Sequence, residues 1–311
     1  MTLLIHRDCP ICGPNKAQTL VHDANFDLTK LDSFAFSSRK HPELMHLRMV
    51  KCGDCDLLFA NPVFGREFLG DAYQSAEFDS GVEAQFASHT YAFKLRSILD
   101  RLPDRCGAID IGTGEGAFLE RLVESKFSNV IGIEPSAKPI QFAKPGIRPL
   151  IRKELFEGKS FPSNAYSLVT CFQTIEHVPE PMNMAKEIFR ILKPGAAVYL
   201  VGHNRRGLIN SLLGKRSPIF DIEHLQLFSP ASARCLLEAA GFVNVSVNPI
   251  VNTYPLKYWV KISPIPAKIR AVIMKFLKNS SLGLIPLSAP VGNLAIIGFK
   301  PGKASDEARS Q

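Results

Sequence analysis

No stretch of eighteen apolar residues occurs in this chain, so no membrane-spanning helix and no stable membrane insertion are expected. The opening MTLLIHRDCPICG lacks the apolar core and small-residue cleavage site of a signal peptide, and a cytoplasmic protein is the expectation. No internal repeat or nucleic-acid module is visible, so no nucleic-acid partner is expected. What remains suits a globular protein: 311 residues, 46% hydrophobic and 21% charged, enough for one larger α/β domain with one or two small modules. The net charge of +8 has two readings. It favours an anionic small-molecule substrate, or it only keeps the surface soluble.

Ala108 to Ala117 reads A-I-D-I-G-T-G-E-G-A, followed at once by the amphipathic AFLERLVESKF. The pattern is strand, glycine turn, helix. Glycine reaches positive φ and lets a ligand lie against the backbone. The turn delivers that ligand to a helix N-terminus, where free N–H groups favour anions. The dinucleotide fingerprint G-x-G-x-x-G is absent; the spacing here is G-x-G-x-G, at Gly112, Gly114 and Gly116. The strand ends in an acid, Asp110. A second apolar run ends in Glu134, twenty-two residues after Gly112 and ahead of Pro135. An acid there accepts hydrogen bonds from ribose hydroxyls in either cofactor type. The glycine spacing and Asp110, which can receive an α-ammonium group, point to S-adenosylmethionine, with Thr113 in the same turn.

Seven cysteines fall into two sets. Cys106, Cys171 and Cys235 stand apart and read as buried small hydrophobes. Cys9, Cys12, Cys52 and Cys55 form two C-x-x-C knuckles, C-P-I-C-G and K-C-G-D-C. Four thiolates close a tetrahedral Zn2+ shell with no open position, which makes the expected role structural. Disulfides and a redox pair are the alternatives. A reducing cytosol opposes the first, and no thioredoxin-like βαβ surrounds either pair. The thirty-nine residues between the knuckles are long for a minimal zinc ribbon and must carry extra strands or a hairpin.

D-I-G-T-G-E-G, then G-I-E-P, then C-F-Q-T-I-E-H-V-P-E-P, then R-I-L-K-P-G-A resemble, in that order, a class I S-adenosylmethionine-dependent methyltransferase. The resemblance covers roughly Arg96 to Pro301. It implies a central fourth strand whose following residues, Gln173, Glu176 and His177, wall the active site. The family usually has Phe-Asp before that strand; this chain has Tyr166-Ser167. The stretch M-V-K-C-G-D-C-D-L-L-F-A-N-P resembles the zinc-binding module preceding some small-molecule methyltransferases, including C-methyltransferases of nucleotide-linked deoxysugars. Those enzymes carry a Glu-His pair in a segment similar to Glu223-His224-Leu225-Gln226-Leu227-Phe228-Ser229. They have a tyrosine two residues before that Glu, where this chain has Asp221.

The expected fold is α/β: a doubly wound, Rossmann-like sheet of seven strands with the last antiparallel, behind a small N-terminal zinc-binding module. Residues 1–65 form the module, and 66–95 a linker and helix leading into the domain, with Tyr73, Phe78, Phe86, Tyr91 and Phe93. Residues 96–301 form the methyltransferase domain and 302–311 a polar, disordered tail. Core strands are expected near Ala108–Ile111, Val130–Glu134, Arg148–Ile151, Ser167–Cys171 and Ala197–Gly202, with Phe242–Val247 and Asn293–Phe299 last. Helices are expected near Ala117–Lys126, Pro135–Ala143, Pro181–Leu192 and Pro230–Ala240. An insertion, 249–290, holds Trp259 and the basic run K-I-R-A-V-I-M-K-F-L-K. It reads as a packed helix, a substrate lid or a membrane-surface contact, and the short apolar stripe favours packing.

Methyl transfer from a sulfonium leaves a neutral thioether and needs mainly alignment, to which proximity contributes on the order of 7–11 kcal/mol. A base helps when the acceptor must lose a proton. His224, oriented by the neighbouring acid Glu223, is the first candidate; His177 is the second and His203-Asn204 the third. Asp110, Gly112, Thr113, Gly114, Gly116, Glu134, Pro135 and Gln173 are the expected cofactor contacts. The acceptor is a small molecule, such as a nucleotide-linked sugar, a polyketide or a related metabolite. A nicotinamide-dependent oxidoreductase and a non-catalytic binding protein that keeps the cofactor fold are the alternatives.

Overall fold

In a computed structural model the chain is described for residues 4–30, 36, 44–75, 81–263 and 265–302. The expected tail beyond 302 and Phe78 lie outside these residues.

The N-terminal region holds five short strands, β1 (Leu4–Ile5), β2 (Gln18–His22), β3 (Met49–Cys52), β4 (Leu58–Ala60) and β5 (Val63–Phe64). β2, β3 and β4 form an antiparallel run, and β5 pairs back with β1. The stretch expected to link this region to the domain is helical, with α1 (Arg66–Ser75) and α2 (Gly81–Leu99). Tyr91, Leu95 and Ile98 recur at helical spacing on α2 and are buried, which fixes its inner face.

Strand and helix then alternate: β6 (Cys106–Ile111), α3 (Ala117–Glu124), β7 (Ser128–Ile133), α4 (Ala137–Phe142), β8 (Ile151–Arg152), β9 (Tyr166–Phe172), α5 (Pro181–Ile191) and β10 (Leu192–His203). After them come α6 (Leu208–Leu213), β11 (Gln226–Leu227), α7 (Pro230–Ala239), β12 (Val243–Pro255), α8 (Leu256–Ile262), α9 (Ala267–Lys278) and β13 (Pro286–Phe299). The large sheet has seven strands in the order β12-β13-β10-β9-β6-β7-β8. β6 to β10 are parallel, and β13 runs antiparallel to both its neighbours. The central strands are continuous apolar runs because helices cover both faces. The expected seven-stranded fold is therefore the one observed, reversed last strand included.

Four local expectations need correcting. Arg148–Ile151 is not a strand: Arg148–Leu150 is a 3-10 turn, and only Ile151–Arg152 pairs with β7. Pro149 lacks the N–H a ladder needs and suits the turn. The last two strands run well past 247 and start well before 293, because Asn252–Pro255 keep pairing with Pro286–Ala289. The 249–290 segment is thus a long hairpin arm tipped by α8 and α9. Its packing is partial: α9 rests on α8 and the turn before β13, with Leu277 buried and Ile273 and Met274 half-buried, while Ile269, Val272 and Phe276 face solvent. Finally, Cys106, the first residue of β6, is exposed and Cys235 half-buried, while Cys171 is buried as expected.

One pairing joins the two regions. β11 adds to β4, giving a four-stranded sheet in the order β11-β4-β3-β2. Phe64, Leu47 and Met49 share an apolar cluster with Ile219, Phe220, Ile222 and Leu225. Among the described residues no helix is long and apolar enough to cross a membrane.

Candidate active site

The carboxyl ends of β6, β7, β9 and β10 lie side by side on one end of the sheet, the place where doubly wound sheets hold ligands. β6 delivers Asp110, buried and accepting from Thr170 Oγ1 at 2.6 Å. Burial pushes the Asp110 carboxyl up to about 6, against the pull of that hydroxyl. The turn then opens with Gly112 at φ 73, its N–H donating to the Ile133 carbonyl at 2.9 Å. A Cβ at Gly112 would meet Thr174 Oγ1 at 2.2 Å, so only glycine lets β6 and the loop after β9 approach this closely. Gly114, at φ 59, faces open space instead: a Cβ there would have no neighbouring atom within 4 Å, and a ligand can lie against it. Gly116 is the residue that starts α3.

Glu134, at the end of β7, is buried and accepts from the Gly114 N–H at 2.9 Å and the Ser136 N–H at 2.9 Å. Burial pushes its carboxyl up to about 7 despite those two donors. The half-buried Pro135 then turns the chain toward α4. Two further groups stand ready for a ligand. The buried Thr113 hydroxyl and both amide atoms of Gln173 have no hydrogen-bond partner among the described residues. Gln173 also holds φ 52, a conformation rarely kept by a side chain of this size without a local demand. Unsatisfied buried polar atoms at the mouth of a glycine turn fit the polar edges of a nucleoside. The structure thus groups the expected cofactor residues around the turn after β6, and adds Thr170 and Thr174. A threonine inside an otherwise apolar strand was the available signal for Thr170.

The second constellation begins three residues past Gln173. Glu176 is fully buried, accepts from the His203 backbone N–H, and is pushed up by burial. His177, His224 and His203 form a row, with ring centroids 4.9 Å and then 5.0 Å apart. His224 Nδ1 lies 2.8 Å from the Ile219 carbonyl. A carbonyl only accepts, so Nδ1 carries a proton, and in the neutral ring Nε2 is then the acceptor. His177 Nδ1 likewise faces the Glu223 carbonyl at 3.2 Å. Backbone and side-chain partners both enter this cluster. The backbone of Ile219 orients His224, while the Glu223 carboxylate lies 3.7 Å from His177. Tyr73 closes this side, edge-on to His177 at 6.0 Å and donating to the Glu223 carbonyl at 3.3 Å. His203 Nδ1 meets the Asn293 amide oxygen at 3.0 Å. Ligand atoms of His177, Glu223 and His224 lie within 4.8 Å of one another, a spacing that one cation could bridge.

The four cysteines of the two knuckles converge, their sulfurs within 4.8 Å of one another. Cys9 Sγ and Cys55 Sγ are 3.6 Å apart, and the Cys12 N–H donates to Cys9 Sγ at 3.4 Å. The hydrogen bond from Cys55 draws the Cys9 thiol down to about 5, while burial pushes Cys12 up to about 12. The cluster resists full ionisation by itself, and a dication would relieve that by holding each thiolate. Four convergent sulfurs with N–H support fit tetrahedral zinc.

This four-cysteine region is tied to the histidines. Arg7 donates from Nη2 to the Leu225 carbonyl at 2.6 Å, from Nη1 to Pro179 at 3.0 Å and from Nε to Ala60 at 2.9 Å. Gln226 Nε2 donates to the Ile175 and Val178 carbonyls, at 2.8 and 2.7 Å. Asp56, next to Cys55, pairs with Arg205 and with Arg206, the latter at 2.8 Å. Arg7 carried no local sequence signal. The departure at Tyr166-Ser167 also finds its reason: Lys193 Nζ reaches Asp104 at 2.8 Å and Ser167 Oγ at 3.2 Å, so the acid comes from Asp104, ahead of β6.

Six strands of one direction and one reversed strand around a glycine turn flanked by two buried acids define a class I S-adenosylmethionine-dependent methyltransferase. The chain belongs to the Methyltransferase domain family, which matches residues 84–247. It is 26% identical over 166 residues to a ubiquinone biosynthesis O-methyltransferase of Klebsiella pneumoniae (strain 342), covering 48% of this chain and 68% of that one. The same enzyme of Sodalis glossinidius (strain morsitans) is 27% identical over 163 residues, covering 47% and 65%. Among solved structures, geranyl diphosphate C-methyltransferase from Streptomyces coelicolor A3(2) is 17% identical with a TM-score of 0.43, covering 68% of this chain and 79% of that one. The nicotinamide oxidoreductase alternative falls with the family match.

Proposed function

We propose that this enzyme methylates a hydroxyl of a small organic acceptor, with His224 Nε2 taking the hydroxyl proton. The observation that carries the reading is the 2.8 Å contact between His224 Nδ1 and the Ile219 carbonyl, which makes the other nitrogen of the neutral ring the acceptor. S-adenosylmethionine supplies an electrophilic methyl group and leaves as a neutral thioether. Asp110 holds the α-ammonium group, Glu134 the ribose hydroxyls, and Thr113 and Gln173 the remaining polar edges. Gly112, Gly114, Gly116 and Pro135 shape the backbone around them. His177, with Glu223 beside it, passes the proton onward from His224. The four cysteines hold structural zinc and keep Arg7 and Asp56 where they brace the loops that carry the histidines.

The named activity of the relatives supports an oxygen acceptor. The Glu223–Ser229 segment favours a second reading, a nucleotide-linked sugar methylated at carbon, in which the same histidine removes a carbon-bound proton. The basic surface suits an anionic acceptor of this kind. The test has two stages. Calorimetric titration with S-adenosylmethionine, S-adenosylhomocysteine and NAD should show micromolar binding of the first two only. Incubation with methyl-labelled cofactor and separate pools of phenols, catechols and nucleotide sugars then reads the acceptor by label transfer. Transfer to neither pool class, with cofactor bound, sinks both readings; a non-catalytic protein would give that result.

A further inference from the structure

The hairpin arm leaves the sheet at the end where the carboxyl ends of β6, β7, β9 and β10 lie. β10 ends at His203, paired with Asn293, and the arm's pairs from Asn252–Ala289 to Pro255–Pro286 lie beyond that level. It is a built unit. Trp259 Nε1 donates to the Leu287 carbonyl at 3.0 Å, the Leu256 N–H to Ile285 at 2.9 Å, and Tyr254 stacks near Tyr258 and Trp259 at 4.4 and 5.5 Å. Against that framework α9 presents an unpaired apolar stripe. Ile269, Val272 and Phe276 follow at helical spacing and are 54%, 71% and 62% exposed. Lys268, Lys275 and Lys278 occupy the neighbouring exposed strip.

Charge decides what covers the stripe. From Pro249 to Pro290 the chain has six basic residues and no acid. A second copy would set two such arms against each other, and like charges oppose that contact. A nucleic acid would meet the lysines but leave three large apolar side chains in water. A bilayer with anionic headgroups satisfies both at once, taking the stripe into the acyl boundary and the lysines among phosphates.

The geometry points to α9 and its arm as a membrane-surface seat that docks this end of the sheet on anionic lipid. The seat does not depend on which acceptor is methylated. The experiment is co-sedimentation of the full chain with vesicles of phosphatidylcholine alone and of phosphatidylcholine mixed with phosphatidylglycerol, at low and high salt. The chain should pellet with the mixed vesicles at low salt, weaken about tenfold at high salt, and stay in solution with phosphatidylcholine alone. V272E/F276E should abolish pelleting while S-adenosylmethionine affinity, read by calorimetry, stays unchanged. K268E/K275E, which leaves the stripe intact, should weaken pelleting about tenfold. No pelleting with either vesicle, equal pelleting with both, or undiminished pelleting of V272E/F276E overturns the seat. So does sedimentation velocity showing a dimer that V272E/F276E dissolves, which would assign the stripe to a second copy.

Discussion

The Arg7 guanidinium donates to the Leu225 carbonyl at 2.6 Å, one residue beyond His224. A side chain two residues ahead of the first knuckle thus holds the backbone next to His224. Arg7→Ala strands several carbonyls, at a cost of about 2 kcal/mol. We expect a lower Tm and lower turnover with cofactor affinity retained. Unchanged turnover in a chain of lowered Tm would mean that Arg7 only holds the two regions together.

His224→Ala removes the ring whose proton the Ile219 carbonyl fixes. Turnover should fall by about 10²–10⁴ while S-adenosylmethionine binding stays near the parent value. His177→Ala, one ring centroid step of 4.9 Å away, should cost less. A fall of less than about threefold for His224→Ala would remove it from the base role.

The two buried acids give a pH dependence of known sign. Asp110 and Glu134 titrate at about 6 and about 7, above their ordinary values of 3.8 and 4.5, because burial disfavours their charge. The folded chain without cofactor keeps protons that the unfolded chain has released, so these groups lose it stability as pH rises from about 4 to 7. Glu134 alone accounts for on the order of 3 kcal/mol. The α-ammonium and ribose hydroxyls need the ionised forms, so cofactor affinity should rise over the same range and level off above about pH 7. Calorimetry in buffers of different ionisation enthalpy should record proton release on binding near pH 6. Glu134→Gln should flatten the upper part of the profile, raise the Tm of the cofactor-free chain at pH 8, and weaken cofactor binding.

Metal analysis of the purified chain should find one zinc, lost in Cys52→Ser and Cys9→Ser. Because Asp56 adjoins Cys55 and pairs with Arg205 and Arg206, the loss should also lower the Tm and slow turnover. Zinc retained in both variants would deny the four-sulfur site.

The sheet and the cofactor turn were legible because their signals are local. Asp110, the three glycines and Glu134 each lie at a strand end or in the turn that follows, so spacing alone puts them together. The two knuckles were legible for a similar reason, since two C-x-x-C pairs have few other uses in one chain. What sequence missed depends on residues far apart. Nothing near His224 marks the Ile219 carbonyl as its orienting partner, because any backbone could serve. Asp104 stands in for an acid expected sixty-odd residues later in the chain, and only the parallel pairing of β6 with β9 brings it to Ser167 and Lys193. The stripe on α9 has the periodicity of a packed helix; its exposure follows from the length of the hairpin, which carries α9 away from the sheet.

The pairing of β11 with β4 sets an order of events during synthesis. Both knuckles have left the ribosome well before the second region is complete, and their four sulfurs can be gathered early. The edge of their sheet stays open until Gln226 and Leu227 arrive, roughly 170 residues later. Over that interval β4 presents unpaired N–H and C=O groups, and Phe59 and Leu58 await the partners that finally cover them. An open edge of this kind is prone to pairing with another chain, and the N-terminal sheet cannot reach its finished four-stranded form ahead of the segment that carries Gln226 and Leu227.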